Sequence, residues 1–183
     1  MNESAAPPST EPSTDPPVDV FAASDLQVVP VDLILDGHRI TAEIRHPGAP
    51  RRLVDYLNAV DGARIILHDA AINGAASSSG VAQVHRDGIL IAVPLGNTAF
   101  TARTLEVVPK KPVPAVVLLP GYQVSGDVYM LPDVDPANTP LIGNRHFIAM
   151  TDVTITPTGA NGDVRQEPLV VVNLARTLFF APK

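Results

Sequence analysis

From residue 26 onward apolar and polar positions alternate with a period of two, as in strands that face a core on one side. "QVVPVDLIL" places Val29, Val31, Leu33 and Leu35 on one face. After Asp36-Gly37, "RITAEIR" sets Ile40, Ala42 and Ile44 opposite Arg39, Thr41, Glu43 and Arg45. An Asp-Gly pair between two alternating runs predicts a hairpin, because a type I′ turn needs positive φ at both central residues. "PRRLVDYLNAVDG" changes the period: Leu53, Tyr56, Leu57 and Val60 recur at helical spacing and Asp61-Gly62 supplies a stop, so one short helix is expected. "ARIILHDAAI", "GILIAVPLG" and "NTAFTAR" then read as strands, with "NGAASSSG" as a hairpin loop.

The same order recurs downstream. "AVVLLPGYQVSGDVYML" aligns with residues 31–47, matching Gly121 to Gly37, Val124 to Ile40, Asp127 to Glu43 and Val128 to Ile44. "FIAMTDVTI" overlays "RIILHDAAI", and "LVVVNLARTLFF" overlays "LIAVPLGNTAFT", at spacings of 84, 83 and 79 residues. Self-similarity at a nearly fixed period implies two homologous modules. The expected organisation is a tail over 1–25, a first module over 26–104, a linker over 105–112 stiffened by prolines, and a second module over 113–183. Each module holds five short strands in about 70 residues, which predicts an all-β fold of two tandem SH3/Sm-like barrels, the first carrying the helix.

The apolar phase changes at Asp69 and at Asp152. Ile65, Leu67 and Asp69 share one face, whereas Ala70 and Ile72 continue the pattern on the other, and the second copy behaves alike. A phase switch predicts a β-bulge or bend, where a carboxylate accepts backbone N–H bonds that the ladder no longer satisfies. Asp69 and Asp152, with Gly37 and Gly121, therefore read as structural turn or bulge positions, and Asp152→Asn is expected to cost stability.

Composition narrows the chemistry. The absence of Cys excludes disulfides, thiolate metal sites and a cysteine nucleophile. The 19 prolines oppose long helices, and aromatics at 4% leave the core to Val, Ile, Leu and Ala. Of the 19 acids, five fall within residues 1–25, which contain no base. That segment, rich in Pro, Ser and Thr, is expected to be disordered, and the remainder is almost neutral. The basic excess of a nucleic-acid binder is missing, so nucleic acid is not an expected partner. No basic stretch precedes an apolar one at the start, and no apolar run reaches a membrane span, so a cytoplasmic protein is expected.

His38, His46, His68, His85 and His146 form no pair at metal-ligand spacing. "GAASSSG" lacks the Lys and following helix of a phosphate-binding loop. No catalytic residue, metal or cofactor is expected, and hence no enzyme.

"HFIAMTDVTI" followed by "PLVVVNLARTLFFAP" resembles a bacterial domain family of unknown function, marked by an aromatic-apolar-Thr-Asp strand and a later apolar-Val-Asn run. In the first copy His68 replaces the Thr and Pro94 the Asn. "LILDGHRITAEI" and "ILIAVPLGNTAFTA" resemble the opening hairpin and closing strand pair of Sm-like proteins, without their RNA-contacting residues. The resulting expectation is an adaptor or scaffold that joins a protein partner, or itself, through sheet edges and apolar surface. Arg39, Arg45, Tyr122, Phe179 and Phe180 are its candidate interaction residues. The alternative is an Sm-like RNA- or ligand-binding regulator that gathers Arg39, Arg45, Arg64, Arg86 and Tyr122.

Overall fold

The computed structural model describes residues 26–47, 52–59, 63–76, 80–96, 110–132, 146–159 and 162–182. The tail over 1–25, the strand "NTAFTAR" and residues 105–109 of the linker lie outside them. In the first half, β1 (Leu26–Leu35) and β2 (Arg39–Pro47) form the Asp-Gly hairpin, and α1 (Leu53–Ala59) leads to β3 (Arg64–Ile72). The short β4 (Ala75–Ala76) and β5 (Val81–His85) pair with β3, and after a 3₁₀ turn β6 (Ile89–Pro94) returns to β1. The second half runs β7 (Lys111–Leu119), β8 (Tyr122–Met130), β9 (Phe147–Pro157), β10 (Arg165–Asn173), another 3₁₀ turn and β11 (Phe179–Pro182).

The two halves repeat each other rung by rung. Leu33 faces Ile40 as Val117 faces Val124, and Ile34 faces Ile91 as Leu118 faces Phe179. Equivalent residues are thus 84 apart in the first two strands, 83 in the third, 90 at β4, and 88 at β5 and in the last strand. β4 and β5 are two pieces of the strand that is continuous as β10. This corrects one sequence overlay: "LVVVN-LAR-TLFFAP" lies over "VAQVH-RDG-ILIAVP", one strand earlier than its likeness to "LIAVPLGNTAFT" implied. The apolar runs of β6 and β10 look alike because both strands are buried on two faces, not because they are equivalent.

The strands of the two halves are not separate. They make one open antiparallel sheet in the order β11-β7-β8-β9-β10-β6-β1-β2-β3-β4, with β5 beside β3. β6 and β10 join the halves, Val171 opposite Ala92 and Val172 opposite Ile91. Two cores result. The first gathers Leu33, Ile44, Leu57, Ile65 and Ile89 with Phe147 and Val171 from the second half. The second gathers Val117, Val124, Met150 and Ile155 with Ile34, Leu90 and Ile91 from the first half. Side chains along β6 and β10 alternate between the two cores, as across a sheet, except that Leu90 and Ile91 both enter the second where β6 shifts register against β1.

The expected linker ends early, because β7 takes in Lys111 and Pro112. Pro112 and Pro114 are tolerated there since, among the described residues, β11 reaches only to Ala115 and that part of β7 pairs with β8 alone.

Both halves shift register at the same place, between Thr41 and Glu43 against β3 and between Ser125 and Asp127 against β9. The residues opposite are Asp69 and Asp152, at φ of 51° and 52°. The extra residue carries the core face from Leu67 to Ala70 and from Met150 to Val153. Gly126 meets this bulge so closely that an added Cβ would lie 2.7 Å from the Thr151 carbonyl oxygen, while Ala42 fills the same place in the first half.

The reason for Asp at the bulge differs from the expected one. The exposed Asp69 carboxylate meets Arg45 Nη2 at 3.0 Å, and Tyr129 occupies the place of Arg45 in the second half. What recurs is the left-handed backbone, which Asp and Asn adopt more readily than other side chains do. Asp152→Asn is therefore expected to change stability by less than about 0.5 kcal/mol. Asp152→Val should lose about 1–2 kcal/mol, since a β-branched residue resists positive φ. Urea unfolding of both variants checks this, and an equal loss in the two would return the role to the carboxylate.

Candidate interaction surface

The seam between the halves is a strand-edge interface held within one chain. Its rungs are few, but four polar ties flank them. Asn58, on α1, donates from Nδ2 to the Phe147 carbonyl at 2.9 Å and accepts from the Phe147 N–H at 3.0 Å. The side-chain amide thus reads the first residue of β9 as a neighbouring strand would. Asn173 Nδ2 donates to the Ile89 carbonyl at 2.8 Å while its Oδ1 accepts from Ala175 N–H, capping the second 3₁₀ turn. His85 caps the equivalent turn in the first half by accepting from Asp87 N–H. Arg176 Nη1 reaches the Asp87 carbonyl at 3.1 Å.

The fourth tie is ionic. Asp32 is fully buried on β1 and its two oxygens are divided between the halves. Arg39 Nε donates to Oδ1 at 2.7 Å and Arg165 Nη1 to Oδ2 at 2.8 Å, with Arg165 Nη2 bound to Glu167 at 2.6 Å. The hydrogen bond to Asp32 holds the Arg39 guanidinium above its ordinary range. Two arginines and two carboxylates balance, so the buried charge is matched within the cluster.

Beyond the seam lie the outer strands β5 and β11. Exposed apolar side chains stand on or beside each. On β6, Leu90 and Ile91 are 0% exposed, whereas Leu178 and Phe179, their counterparts at the other end, are 72% and 53% exposed. On the side of β5, Val81 and Ile66 are 51% and 52% exposed. The counterpart of Ile66 is Ala149, which packs against the first core across the seam.

The candidate residues scatter over this frame. Phe179 lies on the outer strand, and Phe180 beside it turns into the second core with Tyr122. Arg39 is engaged by Asp32, and Arg45 by Glu43 and Asp69. Gly37 and Gly121 sit at the hairpin turns with φ of 72° and 77°. The residues that tie the halves, Asp32, Asn58, Arg165 and Asn173, were not singled out as a site. Two carried a signal, since Asp32 interrupts an apolar strand and Asn173 ends one.

Among the described residues no three His, Asp or Glu side chains are placed to hold a metal ion, and no helix is long and apolar enough to cross a membrane. Comparison with family models, curated proteins and solved structures returns no match, so a functional reading stands on geometry alone.

Proposed function

We propose that the protein is a non-enzymatic interaction and assembly module that works through the edges of its sheet. The observation that carries this reading is the seam: the chain already joins two five-stranded halves edge to edge, and it ends in two further edges bearing uncovered apolar side chains. Each half, in the order β6-β1-β2-β3-β5 and β11-β7-β8-β9-β10, is a strongly bent, incompletely closed barrel of the SH3/Sm kind. Incomplete closure leaves strand edges, such as the outward N–H and C=O of Gln83, that favour pairing with another strand. The RNA-binding alternative is weaker, because Arg39 and Arg45 face carboxylates that compete with phosphate.

Site-specific photo-crosslinking in cells tests the reading. A photoreactive residue at position 81 or 178 should yield discrete crosslinked species. The double variant Gln83→Pro/Phe179→Lys should lose them, because proline removes an edge donor and lysine disfavours edge pairing. Crosslinks unchanged by the double variant would show that the edges are not the interaction surface.

A further inference from the structure

We infer that the partner of each outer edge is a second copy of this chain, joined head to tail so that β11 of one molecule takes the place of β6 and β5 of the next takes the place of β10. This rests on the edge-pairing reading above and names its partner.

The argument begins with the repeat. The halves follow one another in the same strand order along the sheet and are not exchanged by a twofold axis, since the closing strand of the first half meets the fourth strand of the second. Such a contact is heterologous: it uses two different edges and leaves one of each kind unused. The unused pair is β5, equivalent to β10, and β11, equivalent to β6. Repeating the seam between molecules therefore joins two edges that each occur once per chain.

The register follows from the equivalences. Val171 faces Ala92 and Val172 faces Ile91 at the seam, so Gln83 would face Phe180 and Val84 would face Phe179. The backbone supports this alignment. Asp69 N–H bonds to the Gly80 carbonyl, so residues 80, 82 and 84 turn their polar groups toward β3. The N–H and C=O of Gln83 then point to the open side, because they alternate along an antiparallel strand.

The side chains give the reason for association. Leu178 and Phe179 stand where Leu90 and Ile91 enter the second core, and Ile66 stands where Ala149 packs across the seam. Covering them removes apolar surface from water. Two of the polar ties are not repeated, since Val116 stands at the position of Asp32 and Gly88 at that of Arg176. The contact between copies is consequently weaker than the seam, and assembly depends on concentration.

Sedimentation velocity over a concentration series tests this with the full-length chain. The native protein should grow beyond a dimer as concentration rises. Gln83→Pro alone and Phe179→Lys alone should each remain monomeric, and an equimolar mixture of the two should form a heterodimer and stop there, because only one good edge of each kind remains. Should Gln83→Pro fail to fold, Val81→Lys replaces it. Self-association surviving in either variant, or a mixture that stays monomeric, would overturn head-to-tail pairing. A native chain that stays monomeric while its edge crosslinks in cells persist would overturn the self-partner and leave the edge reading intact. Loss of both would remove the two together.

Discussion

Arg165→Ala is expected to cost about 3 kcal/mol of unfolding free energy, near the lower end for removing one partner of a buried ion pair. Among the described residues Arg165 is the only second-half group on the Asp32 carboxylate, and Asp32 has no exposed surface through which water could replace it. Arg39 remains at 2.7 Å and keeps one oxygen satisfied, which holds the loss to that end of the range. Asp32→Val should cost less than Arg165→Ala, because Arg39 is 53% exposed and both guanidiniums have access to water once the carboxylate is gone. The second half already writes Val116 at this position. The double variant Asp32→Val/Arg165→Met should therefore recover to within about 1 kcal/mol of the native protein or exceed it, as apolar replacements of buried ion pairs do. Urea unfolding of the three variants decides, and a double variant no better than Arg165→Ala would mean the cluster contributes more than matched charge.

The same residues show what was legible in the sequence. Period-two alternation located β2, β3, β7, β8 and β9, because each has one face in a core and one face outward, and it located β1 although Asp32 and Ile34 bury part of its second face. The phase switch at Asp69 and Asp152 located the bulge, since one inserted residue must move the apolar face. Alternation is silent for a strand buried on both sides. "ILIAVP" and "LVVVN" carry no phase, so pattern alone matched them to each other, when they are neighbours across the seam. The seam itself lies between residues some 80 positions apart, and an apolar run records that it is covered but not by what. Asn58 falls on the helical pattern as an ordinary polar residue, and only the fold brings it to Phe147.

Packing across the seam is expected to couple the unfolding of the two halves, and truncating Phe147 should show as a loss of cooperativity as well as of stability. Phe147 opens β9, in the second half, yet its fully buried ring lies in the first core beside residues of β1, β3 and α1. Phe147→Ala should cost about 3–5 kcal/mol through lost transfer energy and the cavity left behind. The backbone bonds to Asn58 survive the change, so the loss belongs to packing of one half against the other. Ile155→Ala removes a side chain that the second half places in its own core and serves as the comparison, at about 2–5 kcal/mol. Urea unfolding followed by amide exchange in β2 and β8 distinguishes the two. With Ile155→Ala both strands should still lose protection in a single transition, displaced to lower urea. With Phe147→Ala the β2 amides should open before those of β8, because the first core has lost the side chain lent by the second half while the second core stays filled. If β2 and β8 still opened together in Phe147→Ala, the seam strands and the ionic tie would be sufficient to bind the halves, and Phe147 would be a core residue like any other.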